Sequence, residues 1–238
     1  LALNALSRDD SAQMAQGVLA VESLPAELHG VVIGKAEGNP FFIEEVVKSL
    51  QEVGALRRVD GRYELARPLD EVMVPDTIQD VIMARIDRLE DTSKKTLQLA
   101  SVIGREFTRR LLERIADLRG RADDLLGELK AIELIYETRL FPELSYMFKH
   151  ALTHDVAYNS LLVQRRRELH RTIGLAIEDL FADRLPEQFE VLGYHFTRGE
   201  EWAKALHYLR AAGAKAAARS AYPEAAAHLE QALGVVEH

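Results

Sequence analysis

The sequence predicts a mainly α protein: three N-terminal helices, a winged-helix-like domain with small β-hairpins, then tetratricopeptide-like helical hairpins. Three observations carry this. Ala, Leu and Glu abound while aromatics are only 7%, which favours helix over sheet. Apolar residues recur at helical spacing along most of the chain, and the period falls to two only in short stretches. Near the C-terminus, Trp202-Ala203-Lys204-Ala205-Leu206-His207-Tyr208-Leu209 is echoed by Tyr222-Pro223-Glu224-Ala225-Ala226-Ala227-His228-Leu229. Small residues recur there at Ala205, Ala212, Ala218, Ala225 and Ala232, as closely packed helix pairs require. The interval between the echoes is shorter than the usual repeat of about 34 residues. Trp202 reads as a core anchor of the pair.

The elements follow in order. Leu1-Ala2-Leu3 reads as a stub of strand. Ser7 is placed to cap a helix running through Leu19, since its hydroxyl can accept from a first-turn N–H. A second helix spans Pro25 to Ala36, with Pro25 suited to the first turn. The third opens at Asn39-Pro40 behind Gly38 and buries Phe42, Val46, Leu50 and Val53 on one stripe. Its Glu44 and Lys48 form an i,i+4 pair in the favourable order, and Gly54 suits a left-handed C-terminal residue. Residues 55–67 read as a hairpin around Asp60-Gly61, a dipeptide suited to a type I′ turn, and Pro68 to Pro75 as a connector. Asp76 and Gln79 read as a capping pair for a helix burying Ile78, Val81, Ile82, Ile86 and Leu89. Helices follow near 92–103, 107–117 and 121–134. Strands near 135–140 and 145–149 come next, with Pro142 in their turn, then a short helix at 150–162 and a long one at 164–183.

The bulk numbers exclude several functions. The 238 residues, 47% of them hydrophobic, carry a formal charge of −8 and no cysteine. No disulfide or thiolate zinc site can form, which fits a reducing cytoplasm. The net charge offers no overall attraction to nucleic acid or anionic lipid. No apolar run approaches the roughly 20 residues of a membrane helix, and no signal peptide is visible. The chain opens on Leu1 rather than Met, which reads as a piece of a longer protein.

Four segments together resemble one family: Ala36-Glu37-Gly38-Asn39-Pro40-Phe41-Phe42-Ile43-Glu44-Glu45; Val74-Pro75-Asp76-Thr77-Ile78 with Ala84-Arg85-Ile86-Asp87-Arg88-Leu89; Ala100-Ser101-Val102-Ile103-Gly104-Arg105-Glu106-Phe107; and Phe148-Lys149-His150-Ala151-Leu152-Thr153-His154-Asp155-Val156-Ala157-Tyr158. Their order and spacing resemble the region after the ATPase core in bacterial signal-transduction ATPases with numerous domains, most of all those fused to class III adenylate or guanylate cyclase domains. The resemblance implies a helical lid of an absent P-loop core at 1–54, a hairpin and connector at 55–75, a winged-helix-like domain at 76–162, and a long helix with the start of a repeat array at 163–238. It implies ATP or ADP as cofactor of the full-length parent. Gly38, Asn39 and Pro40 would form the adenine-facing edge and His150 a phosphate-facing one, each only together with the core. Bound ADP would hold a closed state and ATP an open one.

The chemistry of phosphoryl transfer is missing from the sequence. The nearest approach to a phosphate loop, Gly30-Val31-Val32-Ile33-Gly34-Lys35-Ala36, is one residue short between its glycines and has Ala36 where a magnesium-binding hydroxyl is needed. No hydrophobic strand ending in paired acids precedes the lid. The chain by itself is therefore expected to be neither an ATPase nor a cyclase, and no catalytic or metal-binding residue is assigned. His150 and His154 have zinc spacing, but the intervening residues lack a catalytic Glu and no third ligand is evident. The third helix of the winged-helix-like domain carries more acids than bases, which argues against nucleic acid. Arg165-Arg166-Arg167, with His170 and Arg171, is either a phosphate grip or a solvated helix face. The leading reading is a regulatory segment that couples nucleotide state to an output domain of the same polypeptide and to protein partners through the repeats. The alternatives are part of a transcription regulator of the same architecture, or a nucleotide-independent repeat scaffold.

Overall fold

The structure, a computed structural model, describes residues 4–21, 25–59, 62–66, 75–116, 118, 120–140 and 143–236. The expected strand stub at Leu1-Ala2-Leu3, the Asp60-Gly61 turn, the connector through residue 74 and the Pro142 turn lie outside them. The described elements are mainly α, with two small antiparallel sheets. The chain divides into two compact units, Leu1–Arg88 and Leu89–His238.

In the first unit, α1 (Arg8–Leu19) is capped by Ser7, whose hydroxyl accepts from the Asp10 N–H at 3.1 Å. Helix α2 (Ala26–Ala36) begins one residue later than expected, and Pro25 is its N-cap. Helix α3 (Pro40–Glu52) buries Phe42, Val46 and Leu50 as its apolar stripe predicts, and Val53 is its C-cap. Gly54 follows at φ +66°, a left-handed conformation that only glycine adopts without strain. Strands β1 (Leu56–Val59) and β2 (Arg62–Leu65) pair antiparallel with Val59 opposite Arg62. Helix α4 (Ile78–Asp87) is capped by Thr77 and Asp80 rather than by Asp76 and Gln79. Thr77 is the extended residue immediately before the helix, so its Oγ1 accepts from the Asp80 N–H and donates to the Asp80 carboxylate at 2.6 Å. Asp76 instead meets Lys35 at 2.8 Å. The apolar faces of these elements close one core that includes Leu19, Leu28, Phe42, Val46, Leu56 and Val81.

The second unit opens with α5 (Asp91–Ile103), β3 (Glu106–Thr108), α6 (Arg109–Ile115), α7 (Ala122–Ala131), β4 (Ile135–Arg139) and β5 (Ser145–Phe148). The strands form one sheet in the order β3-β5-β4. The sequence predicts a helix from 107, because a three-residue strand is too short to show a period. Strand β3 forms because Phe107 packs beside Tyr146 and Phe148, with ring centroids 5.8 and 6.0 Å away. Helix α7 stops short of 134 because Glu133 turns left-handed at φ +59° and Leu134 donates back to the Leu129 carbonyl at 3.1 Å.

Helices α8 (Ala151–Asn159), α9 (Val163–Leu180), α10 (Phe189–Arg198), α11 (Trp202–Ala218) and α12 (Tyr222–Val236) complete the unit, with a 3-10 turn at Ala182–Glu187. Helix α10 occupies a stretch to which the sequence reading assigns no element. The two echoing motifs start α11 and α12, which are consecutive helices. Their interval is therefore one helix and a turn, not a helix pair, which explains its shortness. Trp202 is only half-buried, and the contact is anchored by Tyr208 stacked on Phe196 at 5.7 Å. Ala218 is exposed, and Ala216 takes the buried position.

The unit boundary falls between Arg88 and Leu89, whereas the sequence reading starts its winged-helix-like segment at 76. Helix α4 sits against α3 in the first unit. Residue 163 is no boundary either, because α9 packs on α5, α6 and α10 inside the second unit.

Candidate functional site

Gly38, Asn39 and Pro40 form the entry to α3. Gly38 is buried at φ +76°. A Cβ there would lie 2.4 Å from the Leu6 carbonyl oxygen, and the Leu6 N–H donates to the Gly38 carbonyl at 2.9 Å. Both the dihedral and this close backbone approach require glycine. Asn39 is the N-cap: its Oδ1 accepts from the N–H groups of Phe41 at 3.0 Å and Phe42 at 3.4 Å. The Ile43 N–H donates to the Asn39 carbonyl at 3.2 Å, and Pro40 has no N–H. The first-turn donors of α3 are thus already committed, so this terminus is no phosphate cradle of the kind free N–H groups make. What it offers outward is the exposed ring of Pro40.

The stripe behind this edge is tied down by charge. Arg85 on α4 and Glu45 on α3 are both almost fully buried. The Arg85 guanidinium donates to Glu45 at 2.5 Å and to Glu52 at 2.6 to 3.2 Å. Burial works against its charge, but the Glu52 hydrogen bonds and the two carboxylate charges outweigh that and raise its pKa. Arg88 adds a 2.7 Å hydrogen bond to the Ser49 hydroxyl. The only trace of this cluster in the sequence is Glu45 on the apolar stripe of α3. The Gly30–Ala36 run, in contrast, lies within α2, where helical backbone cannot fold around a phosphate.

His150 belongs to the second unit, at the junction of β5 and α8. It is the N-cap of α8 with extended backbone and makes no side-chain capping bond. Both ring nitrogens of His154 are engaged: Nε2 donates to the Ser101 carbonyl at 2.9 Å, and Nδ1 faces the Asp155 carboxylate at 2.9 Å. That engagement removes the i,i+4 pair with His150 as a ready zinc site.

A relay of polar groups, half-buried at Tyr158 and buried at His170 and His195, runs from α8 into the helical array. Tyr158 on α8 meets His170 Nε2 on α9 at 3.0 Å, and His170 Nδ1 meets His195 Nδ1 on α10 at 2.9 Å. One proton must lie between the two Nδ1 atoms, so at least one ring is neutral. Burial, then the Arg198 and Arg166 charges, pushes His170 down to about 4. Burial, then the His170 and Arg198 charges, pushes His195 down to about 3. The sequence placed His170 in a basic cluster, but nothing in it marked His195 as the partner.

The basic cluster is internally paired. Arg165 meets Glu168 at 3.1 Å, Arg167 meets Glu200 at 2.9 Å and Arg171 meets Glu201 at 2.6 Å. Arg166 donates to the Asn159 side chain at 3.0 Å and lies over the Tyr158 ring. The solvated-face reading therefore describes it better than a phosphate grip. Of the α7 acids, Asp123 meets Arg109 of α6 at 2.6 Å and Glu128 accepts from the Ser93 hydroxyl of α5 at 2.5 Å. The Lys130 ammonium is bonded to Glu137.

Comparison with known proteins adds two findings. Residues 7–63 match a family described as a domain of unknown function (DUF8739). An uncharacterized protein of Rhizobium meliloti (strain 1021) is 28% identical over 204 residues, 82% of this chain and 19% of that protein. The chain thus spans about a fifth of the length of the curated relative it matches.

Proposed function

We propose that this chain is a regulatory segment of a larger signalling ATPase, coupling the nucleotide state of a P-loop core to an output domain of the adenylate or guanylate cyclase type. The observation that carries the reading is the entry to α3. It exposes an apolar proline ring at a helix start whose first-turn N–H groups are already committed. Such an edge suits a flat apolar base and offers nothing to a phosphate. The phosphate-binding loop and Mg²⁺ site would come from outside these residues. The buried Arg85–Glu45 pair, with Glu52 at its exposed rim, supports it by holding α3 and α4 as one body, so that contact at Pro40 is passed on as a rigid displacement rather than absorbed locally. In such a switch ATP or ADP would bias two states by a few kcal/mol of differential contact. His150, as N-cap of α8, would face phosphate in the closed state. The helices from α9 onward would receive protein partners.

The acidic balance of α7 and the pairing of its Lys130 with Glu137 argue against nucleic acid as the partner. The test is calorimetric titration of ADP and ATP into the full-length polypeptide, with Pro40→Ala and His150→Ala variants. Each substitution should weaken ADP by at least about threefold, a loss of roughly 0.7 kcal/mol of binding energy. Unchanged affinity in both variants would leave a nucleotide-independent scaffold as the better reading.

A further inference from the structure

Three elements of the second unit meet at the start of α6. The Arg109 N–H donates to the Leu144 carbonyl at 2.9 Å, which holds residues 143 and 144 against the first turn of that helix. Helix α6 also packs on α9, and the 3-10 turn that follows α9 brings Arg184 to the same place. Arg109, Arg110, Glu113, Glu143, Leu144 and Arg184 together line an open pocket of about 440 Å³, a size common among small-ligand sites.

The three cations of this pocket are not equivalent. Arg109 is already neutralised, since it meets Glu113 at 2.8 Å and Asp123 at 2.6 Å. Arg110 and Arg184 are exposed, and among the described residues no carboxylate pairs with either. Both instead lie over the ring of Phe181, with guanidinium carbons 5.8 and 5.1 Å from its centroid. Phe181 is buried at the end of α9, so it is a fixed platform for the two. Like charges held at one ring repel each other, and the pull of a ring on an exposed cation is weak. A ring contact also leaves the N–H donors of a guanidinium free. The arrangement therefore lacks an anion.

We infer that this pocket binds a phosphate group, free or carried by a small molecule, between Arg110 and Arg184. Guanidinium forks match phosphate oxygens two at a time. Two forks call for a group with a charge of about −2 and three acceptor oxygens, which a phosphate monoester supplies and a single carboxylate does not. Glu143 opposes such a ligand. It lines the pocket, its Oε1 has no hydrogen-bond partner, and it pairs with none of the three arginines. Its charge keeps an anion from binding tightly, so the site releases its ligand readily. The pocket lies wholly within the second unit, and the inference does not depend on the nucleotide reading.

An NMR titration of the chain tests it, reading the arginine Nε–H signals as inorganic phosphate, glycerol phosphate or acetate is added at constant ionic strength. Arg110 and Arg184 should shift together and saturate with a Kd for phosphate of about 1 mM or tighter, and acetate should bind at least about threefold more weakly. Arg110→Ala and Arg184→Ala should each weaken phosphate at least about threefold, and so should Arg110→Lys, which keeps the charge and loses the fork. Glu143→Gln should tighten phosphate at least about twofold, because it removes the opposing charge. Tighter binding of glycerol phosphate than of inorganic phosphate assigns the site to a phosphorylated small molecule, and equal or weaker binding assigns it to the free ion. Shifts that grow without saturating would overturn the inference. So would an equal loss in Arg219→Ala, at the far end of α11, because general charge screening would then account for the effect.

Discussion

The two units solve the same problem, holding helices together through buried polar groups, in opposite ways. The first unit uses full charge: Arg85 on α4 sits between Glu45 and Glu52 on α3. The second uses hydrogen-bonded rings: Tyr158, His170 and His195 link α8, α9 and α10, and burial holds the two histidines neutral. A buried ion cluster holds only while every partner is present, because a lone charge in the interior is costly. A neutral relay tolerates more, and its weakness is protonation. The difference predicts that the first unit is brittle to substitution and the second to acid.

The largest expected effect is on the ionic side. Arg85→Met should destabilise the first unit by about 3–5 kcal/mol, because it strands the Glu45 carboxylate. Hydrogen exchange resolved by unit would read this as accelerated exchange in α3 and α4 with the second unit unchanged. Comparable acceleration in both units would break the comparison. Gly38→Ala should rank next, at about 2 kcal/mol or more, since it adds a Cβ against the Leu6 backbone at positive φ; thermal denaturation checks it.

On the neutral side, His195→Leu leaves His170 without its Nδ1 partner and should cost about 1–3 kcal/mol. The same variant sharpens the pH argument. Both histidines have folded pKa values below the ordinary 6.5, at about 4 and about 3. The unfolded chain therefore binds more protons than the folded one between those values and 6.5. Their contribution to stability is whole above pH 6.5 and is lost as pH falls toward 4 and then 3. Unfolding near pH 5 should take up to about two extra protons in the wild type and about one in His195→Leu, measured from the slope of unfolding free energy against pH. An unchanged slope would sink the assignment. The smallest effect belongs to the surface pairs: Arg165→Ala, which removes an exposed contact to Glu168, should change stability by less than about 1 kcal/mol in a denaturant titration.

Local signals were legible because they act within one turn. Ser7, Asn39 and Gly54 fulfil the roles read for them. Phe42, Val46 and Leu50 of α3 and Val81, Ile82 and Ile86 of α4 are buried as the spacing predicts, whereas Val53 and Ile78 are half-buried and Leu89 lies beyond α4. Thr77 shows the limit of such reading: Asp76 and Thr77 are both capping residues, and only the backbone direction decides between them. At the candidate site, the sequence located Gly38, Asn39, Pro40 and His150 but not what surrounds them. Gly38 reads as a loop residue, whereas the Leu6 backbone beside it shows a packing reason for glycine.

By itself, then, the sequence determined a mainly α chain, its caps and stripes, and the echo between α11 and α12, because period and capping are encoded within about seven residues. Tertiary structure alone decided that α4 belongs to the first unit, that Glu45 and Arg85 meet across 40 positions, and that His170 faces His195 across 25. It also decided that Trp202 yields its expected place to Tyr208 and Phe196. Such pairings depend on which faces are brought together when the helices pack, and no local pattern specifies that.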